Sequence, residues 1–495
     1  MATASINWGA ATKYDENFEE LASLLDNAPP YQPPNYNDTS PIIPTSHVRS
    51  PTDEKTLETL SPEQRYALRL IQGGKNVWIV GGAGTGKSHV FQLATKCFFQ
   101  KDIAIAATTG CAAMLVGGTT LHSLFGIVNE DADADDMVKQ LRKRKESVLL
   151  LTSIHVLFVD EVSMLSGQLA EKLEYMLRKV RNDPRPFGGV QMVVCGDPAQ
   201  LPPVTLRGMP RKKYVFECVK WYDWFPQSHH VWLTHVFRQD EVEFREILSD
   251  VRDGKYTNRV KEFMEKVKKE LDVSDGIQPT YLTARRNEVD EINRKKLADL
   301  PGPMYCIDAE DNIHPDKLKK FNESCQAPEK LMIKVGAQVM LVKNIEPKGG
   351  LSNGSRGVVV NIVTVGHAKE VVSIHVKFMN GRIFDCTPAE FEQRTPNGFV
   401  LAKRSQFPLI LAFAWSIHKS QGQTLDKVSI DLGSCFGDAM AYVALSRARN
   451  IKGLQVINFN PSCVKQSPIV KEFYERLRKA ASEQTDEPPT KKRRT

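Results

Sequence analysis

The chain alternates short apolar runs with glycine- and hydroxyl-rich stretches, and each run reads as a buried strand. The first, Asn76-Val77-Trp78-Ile79-Val80, opens into Gly81-Gly82-Ala83-Gly84-Thr85-Gly86-Lys87-Ser88, and residues 89–96 follow with helical spacing and no breaker. Ahead of it, Ser61 is a good N-cap, Pro62 suits a first helical turn, and Leu68, Leu70 and Ile71 give an apolar face. Ile103–Ala107 is a second run, opening into Thr108-Thr109-Gly110 and then Gly117-Gly118-Thr119-Thr120-Leu121-His122. Val156–Val159 ends in Asp160 and Glu161, and Gln191–Cys195 ends in Gly196-Asp197-Pro198-Ala199-Gln200. In the second half, Val231-Trp232-Leu233-Thr234 leads to Phe237-Arg238-Gln239. Tyr281-Leu282-Thr283 is a strand before a helix that reaches Asn293, and Leu409–Ile417 is a further apolar run. Between them, 331–342, 357–365, 371–378 and 382–386 read as short strands. Asn353-Gly354 and Asn380-Gly381 mark turns among them. The pattern predicts an α/β chain with a small β-barrel inserted in its second half.

Composition narrows this only a little. A chain of 495 residues holds more than one domain, and 25% charged with 41% hydrophobic residues is ordinary for a globular protein. The net charge of +7 permits a nucleic-acid partner without requiring one. Nine scattered cysteines with no C-x-x-C pair fit a reducing compartment and argue against a zinc site. No apolar run approaches a membrane span, so no membrane partner is expected. Residues 1–55 are proline-rich and read as a disordered tail. The acidic start does not resemble a mitochondrial presequence, and Lys491-Lys492-Arg493-Arg494 has the form of a nuclear import signal, which predicts a nuclear protein.

The glycine stretch carries the chemistry. G-x-x-x-x-G-K-S between a strand and a helix is a P-loop, in which curled backbone N–H groups and a helix N-terminus face phosphate oxygens. Gly81, Gly82, Ala83, Gly84, Thr85, Gly86, Lys87 and Ser88 are therefore nucleotide-binding candidates, with Lys87 on the β- and γ-phosphates and Ser88 on Mg²⁺. A bare glycine turn is the bland alternative, and the flanking strand and helix disfavour it. Asp160 can hold Mg²⁺ and Glu161 can polarise the attacking water. Gln200 is placed to sense a γ-phosphate. The amide of Gln64 has both donor and acceptor for an adenine edge, although a lone helix glutamine is usually just solvated. Small and hydroxyl residues after the second strand, Thr109, Gly110, Thr119 and His122 among them, let a polymer backbone approach closely. The charged segment from Asp131 to Glu146 reads equally well as a solvated helix or as a small subdomain, about 124–150, with a basic face near nucleic acid.

Taken in order, GGAGTGKS, TTGCAA with GGTTLHS, FVDEVSM, PFGGVQMVVCGDPAQLPPV, LTHVFRQ, VGAQVMLVKN with LSNGSRGVV, IHKSQGQTL and YVALSRAR resemble the PIF family of DNA helicases, in superfamily 1B with the RecD-type enzymes. The resemblance runs from about Leu60 to Phe459. Pro198-Ala199 departs from the two aromatic residues many members carry there, and leans toward RecD-type or transposon-type relatives. The resemblance implies two RecA-like domains, 56–205 and 206–330 with 401–460, a β-barrel at 331–400, and a C-terminal helix and basic tail at 461–495. It implies ATP and Mg²⁺ in the cleft, with Arg238 and Arg447 reaching the γ-phosphate from the second domain. Gln421 and Gly422 would link DNA to the nucleotide, and Thr283, His418 and Ser420 would contact DNA. The implied activity is 5′-to-3′ translocation on single-stranded DNA with unwinding of tailed or forked duplex in replication, repair or recombination. The enzyme would be a monomer without DNA. An ATP-switched nucleic-acid clamp or remodeler is the alternative of a different class.

Overall fold

The computed structural model describes residues 58–483 apart from 206–208, 275, 344, 347–350, 352–354, 367–369 and 395–399. The N-terminal tail, the Asn353-Gly354 turn and the Lys491–Arg494 run lie outside the described residues.

The first sheet has six strands: β1 (Val77–Gly81), β2 (Ile103–Ala107), β3 (Thr119–Thr120), β4 (Val156–Asp160), β5 (Gln191–Gly196) and β6 (His230–Leu233). Their order is β3-β2-β4-β5-β1-β6, and every pairing is parallel. The apolar runs are continuous because both faces are covered: Val77, Ile79, Val193 and Phe158 pack toward one side, Trp78, Val80 and Val194 toward the other. In such a sheet, ligands bind at the carboxyl ends of the strands, where the glycine loop, Asp160-Glu161 and Asp197 all emerge.

The second sheet has four parallel strands in the order β8-β7-β9-β10: β7 (Thr280–Thr283), β8 (Ala414–Ser416), β9 (Val428–Asp431) and β10 (Leu454–Ile457). Between β7 and β8 lies an insertion of antiparallel strands. Five of them, including Gln338–Leu341, Arg356–Val365 and Glu370–Phe378, form one sheet. A two-stranded ladder (Tyr305–Asp308 with Lys330–Ile333) contributes to the same apolar core, and a three-stranded ladder lies beside it. The insertion thus runs from Tyr305 to Leu411, wider than 331–400.

One expectation needs correction. The strand at 230–233, assigned to the second domain, pairs with β1 in the first sheet, with Ile79 opposite Val231. The sequence shows that a run is apolar but not which sheet it completes. Here Val231 and Leu233 join the core around Ile79, and the preceding Trp221 packs edge-on against Trp78, 5.3 Å between ring centroids. The first unit therefore extends to about residue 234. The charged segment is anchored on the first domain, with Arg142, Lys143, Arg144 and Lys145 exposed. Helices Ala134–Arg142 and Lys145–Ser153 bury Met137, Val138, Leu141, Leu150 and Leu151 in the first domain's core, while Asp136 pairs with Lys139 and Asp135 accepts from Tyr175.

The C-terminal helix Pro468–Glu483 buries Val470, Phe473, Tyr474 and Leu477. Phe473 stacks on Phe216 at 4.6 Å and lies 5.4 Å from Trp78 on β1. At about 1.5–3 kcal/mol for each large apolar side chain, this helix is part of the core.

Candidate nucleotide and nucleic-acid site

The loop after β1 curls because two of its glycines adopt left-handed backbone, both with φ of +80°. A Cβ at Gly84 would lie 2.7 Å from Arg238 Cβ, and one at Gly86 2.6 Å from Gln64 Nε2, so neither position accepts a side chain. The helix Lys87–Lys96 starts without a side-chain cap, which leaves its N-terminal N–H groups for an anion. Lys87 Nζ donates to the carbonyls of Gly81 (2.8 Å) and Gly82 (2.9 Å), so its ammonium is held over the loop.

Asp160 and Glu161 stand opposite. Burial, then the charge of Glu161, pushes the Asp160 carboxyl up to about 6. Its Oδ1 accepts from the Cys195 thiol (2.7 Å) and from the Glu161 N–H (2.7 Å). Glu161 has a φ of +56°, a left-handed backbone that costs a non-glycine residue about 1–3 kcal/mol and that clusters at active sites. Its conformation is held at both ends. The Thr108 hydroxyl donates to its carbonyl at 2.8 Å, and Gln421 Nε2 donates to its Oε2 at 3.0 Å.

Lys87, Asp160 and Glu161, with Ser88, Gln200, Arg238, Gly422 and Arg447, line one cleft of about 530 Å³. Neither Arg238 nor Arg447 pairs with a carboxylate among the described residues. Arg238 donates to the Ser446 carbonyl, and Arg447 to the carbonyls of Val443, Ser420 and Gln423 and to the Ser446 hydroxyl. Burial, then Arg238, pulls the Arg447 guanidinium down to about 9, and burial also lowers Arg238. A buried and a half-buried guanidinium with no direct ion pair among the described residues, facing an uncapped helix N-terminus and a lysine, fit a polyphosphate. The side-chain oxygen of Gln200 is buried and has no partner among the described residues. No group of three His, Cys, Asp or Glu forms a metal site among the described residues. A Mg²⁺ held by Ser88 and Asp160 would therefore take its remaining ligands from phosphate and water, as this ion commonly does.

Several expected residues sit elsewhere than their assigned roles suggest. Gln64 is buried beneath the loop. Its Oε1 accepts from the Ser61 N–H in the helix cap, and its Nε2 donates to the Thr85 carbonyl at 3.4 Å. Arg238 does not come from the second domain: it follows β6 in the first sheet, and the adjacent Phe237 N–H donates to the Gly84 carbonyl at 2.7 Å. Thr283 and Ser420 are each 0% exposed, so neither offers its hydroxyl to a ligand at the surface. Thr283 donates to Glu288, and Ser420 to the Ile417 carbonyl. Strand-end hydroxyls that cap local backbone look the same in sequence as hydroxyls that face out. Thr109 and Gly110 open the short helix after β2, with Thr109 Oγ1 accepting from the Ala112 N–H. Thr119 lies on β3, and His122 Nε2 meets Glu130 at 2.8 Å. His418 lines a second cavity of about 690 Å³ with Pro203, Arg211, Lys212 and Phe436. Sequence alone assigns no role to Thr108, Cys195, Asp197 or Tyr442, because hydrogen-bond partners distant in sequence leave no local pattern.

A family model described as PIF1-like helicase matches residues 59–262, and one described as DNA helicase Pif1, 2B domain, matches 318–362. The Homo sapiens protein named ATP-dependent DNA helicase PIF1 is 36% identical over 446 residues, covering 90% of this chain and 68% of that protein. The chain belongs to the PIF1-like helicase family. The 2B match falls within the antiparallel insertion. The unliganded Pif1 from Bacteroides sp is 29% identical, with a TM-score of 0.69 over 85% of this chain and 97% of that one. The Bacteroides Pif1 helicase in complex with ADP-AlF3 and ssDNA is also 29% identical, with a TM-score of 0.57 over the same shares. This PIF1-like chain spans 65% of the length of the Xenopus laevis PIF1 helicase and 68% of the human one.

Proposed function

We propose that this chain is an ATP-dependent DNA helicase that moves 5′ to 3′ along single-stranded DNA and unwinds tailed or forked duplex. The observation that carries the reading is the Gln421–Glu161 hydrogen bond. The loop from His418 to Gln423 has one end in the 690 Å³ cavity and the other on the carboxylate at the strand end of the 530 Å³ cleft. A nucleic acid that shifts this loop shifts the group that orients the attacking water.

In this mechanism the P-loop N–H groups and Lys87 hold the β- and γ-phosphates, and Gln200 contacts the terminal one. Bound magnesium, on Ser88 and Asp160, supplies charge neutralisation of the phosphates. Glu161 orients water toward the γ-phosphorus. Arg238 and Arg447 stabilise the charge that spreads over the equatorial oxygens, and being guanidinium groups they remain cationic despite burial. Gly422 lets the loop approach Glu161. Gln64 supports the loop from below, and Thr109, Gly110, Thr119, His122 and His418 border the single strand. Related proteins carry names and titles that agree with these ligands: the human relative is an ATP-dependent DNA helicase, and a Bacteroides one is described with ADP-AlF3 and ssDNA.

Strand displacement on 5′-tailed and 3′-tailed duplexes tests the reading. Displacement that needs ATP and a 5′ tail is expected. ATP hydrolysis without displacement on either substrate would identify a clamp instead. On Lys491–Arg494 the protein is read as nuclear, and deleting the last five residues is expected to move a fluorescent fusion to the cytoplasm; unchanged nuclear fluorescence contradicts this.

A further inference from the structure

Asp197 follows β5, is 0% exposed, and sits behind the P-loop. Three elements distant in sequence converge on its carboxylate. Arg252, at the end of the helix Val242–Arg252, donates to Oδ1 at 2.9 Å. Tyr474, on the C-terminal helix, donates to the same oxygen at 2.7 Å. Tyr442, on the short helix Met440–Leu445, donates to Oδ2 at 3.3 Å. The Tyr442 hydroxyl has a second bond: it accepts the N–H of Ala83, inside the P-loop, at 2.8 Å. Arg252 also stacks over the Tyr474 ring at 3.9 Å. Burial pushes the Asp197 carboxyl up, but Arg252 and Lys87 outweigh it and leave the group below its ordinary value, ionised. An ionised, fully buried carboxylate fixes the direction of every hydroxyl around it, since each must donate to it. Tyr442 therefore presents its oxygen lone pair to Ala83.

We propose that Tyr474 is a positioning residue for nucleotide binding, acting through Asp197 and Tyr442 on the P-loop backbone. The C-terminal segment has a second hold on the same turn, because Gln466 Nε2 donates to the carbonyls of Ala199 (2.9 Å) and Arg252 (3.2 Å). Ala199 precedes Gln200, which lines the cleft. The C-terminal helix thus supports both the phosphate loop and the glutamine opposite it. The proposal rests on reading that cleft as the ATP site.

Tyr474→Phe removes only the hydroxyl and keeps the ring against Arg252. One hydrogen bond to a charged acceptor is lost, so KM for ATP and the dissociation constant of a non-hydrolysable ATP analogue are expected to rise on the order of tenfold. The kcat should stay within about threefold, because the groups that act in the transition state are untouched. Tyr442→Phe should show the same split. The double variant should be no worse than the more affected single one, since both act through one carboxylate. Phe473→Leu, on the same helix against Trp78, serves as the control and is expected to lower Tm without moving KM. An unchanged KM and analogue affinity in Tyr474→Phe would overturn the proposal. So would a fall in Tm and kcat that Phe473→Leu reproduces, or fully additive effects in the double variant. Failure of the wild-type chain to bind the analogue at all would overturn the cleft reading and the proposal with it.

Discussion

Arg238 and Arg447 line the same cleft with different freedom. Among the described residues, Arg447 commits four of its N–H donors to Val443, Ser420, Gln423 and Ser446, whereas Arg238 makes one bond, to Ser446. Arg238 is therefore the guanidinium with donors open to a transferring phosphoryl group. Arg238→Ala is expected to keep nucleotide affinity within several-fold while DNA-stimulated turnover falls on the order of 10³. Arg447→Ala removes the cation and also strands buried carbonyls, each worth about 1–3 kcal/mol when left unpaired. It should lower Tm along with turnover. Lys87→Ala should weaken nucleotide binding and hydrolysis together. Equilibrium titration, steady-state turnover and thermal melts of the three variants separate these outcomes. Normal turnover in Arg238→Ala would show that the open fork does not reach the phosphate.

Among the elements, β6 carries a titrating group within the core. His230 is buried, its Nε2 bonds the Phe225 carbonyl at 2.8 Å, and its ring lies edge-on to Trp78. Burial pulls the imidazole from 6.5 down to about 4. Between those values the unfolded chain binds the proton and the folded chain does not, so stability from this residue is complete above 6.5 and falls as pH drops toward 4. The loss amounts to about 3 kcal/mol. Denaturant unfolding at pH 7 and pH 4 is expected to show a smaller loss for His230→Phe than for the wild type; equal losses would contradict it. The same strand marks how far the sequence reads. β1, β2, β4 and β5 are legible because parallel strands covered on both faces are continuous apolar runs, and their loops carry glycine and carboxylate signatures. Membership of β6 in the first sheet is not legible, since an edge strand of four residues carries no mark of its partner. The C-terminal helix expected at 461–495 carries its own periodic signal: Val470, Phe473, Tyr474 and Leu477 fall at i, i+3, i+4 and i+7 within a charged stretch. Of the candidate cleft, the P-loop, Asp160, Glu161 and Gln200 are legible as local patterns at strand ends. The burial of the Thr283 and Ser420 hydroxyls is a tertiary fact that no local pattern carries.

At the scale of the molecule, two parallel sheets meet across the 530 Å³ cleft, and an antiparallel insertion extends from the second. The structure lies nearer the unliganded Bacteroides helicase, at a TM-score of 0.69, than the form with ADP-AlF3 and ssDNA, at 0.57. What joins the halves in this arrangement is specific. Gln421 reaches from the second unit to Glu161 in the first, Tyr442 reaches to Ala83, and the C-terminal helix returns to the first core beside Trp78. The central claim is that DNA bound beside His418 acts on hydrolysis through the loop that ends on Glu161. The ratio of ATP turnover with saturating single-stranded DNA to turnover without it, measured for Gln421→Ala and the wild type, tests this most directly. The account expects a wild-type ratio of about ten or more, as one lost charge-assisted hydrogen bond implies, and a ratio near one in Gln421→Ala at DNA concentrations that saturate both. An undiminished ratio in the variant would contradict it.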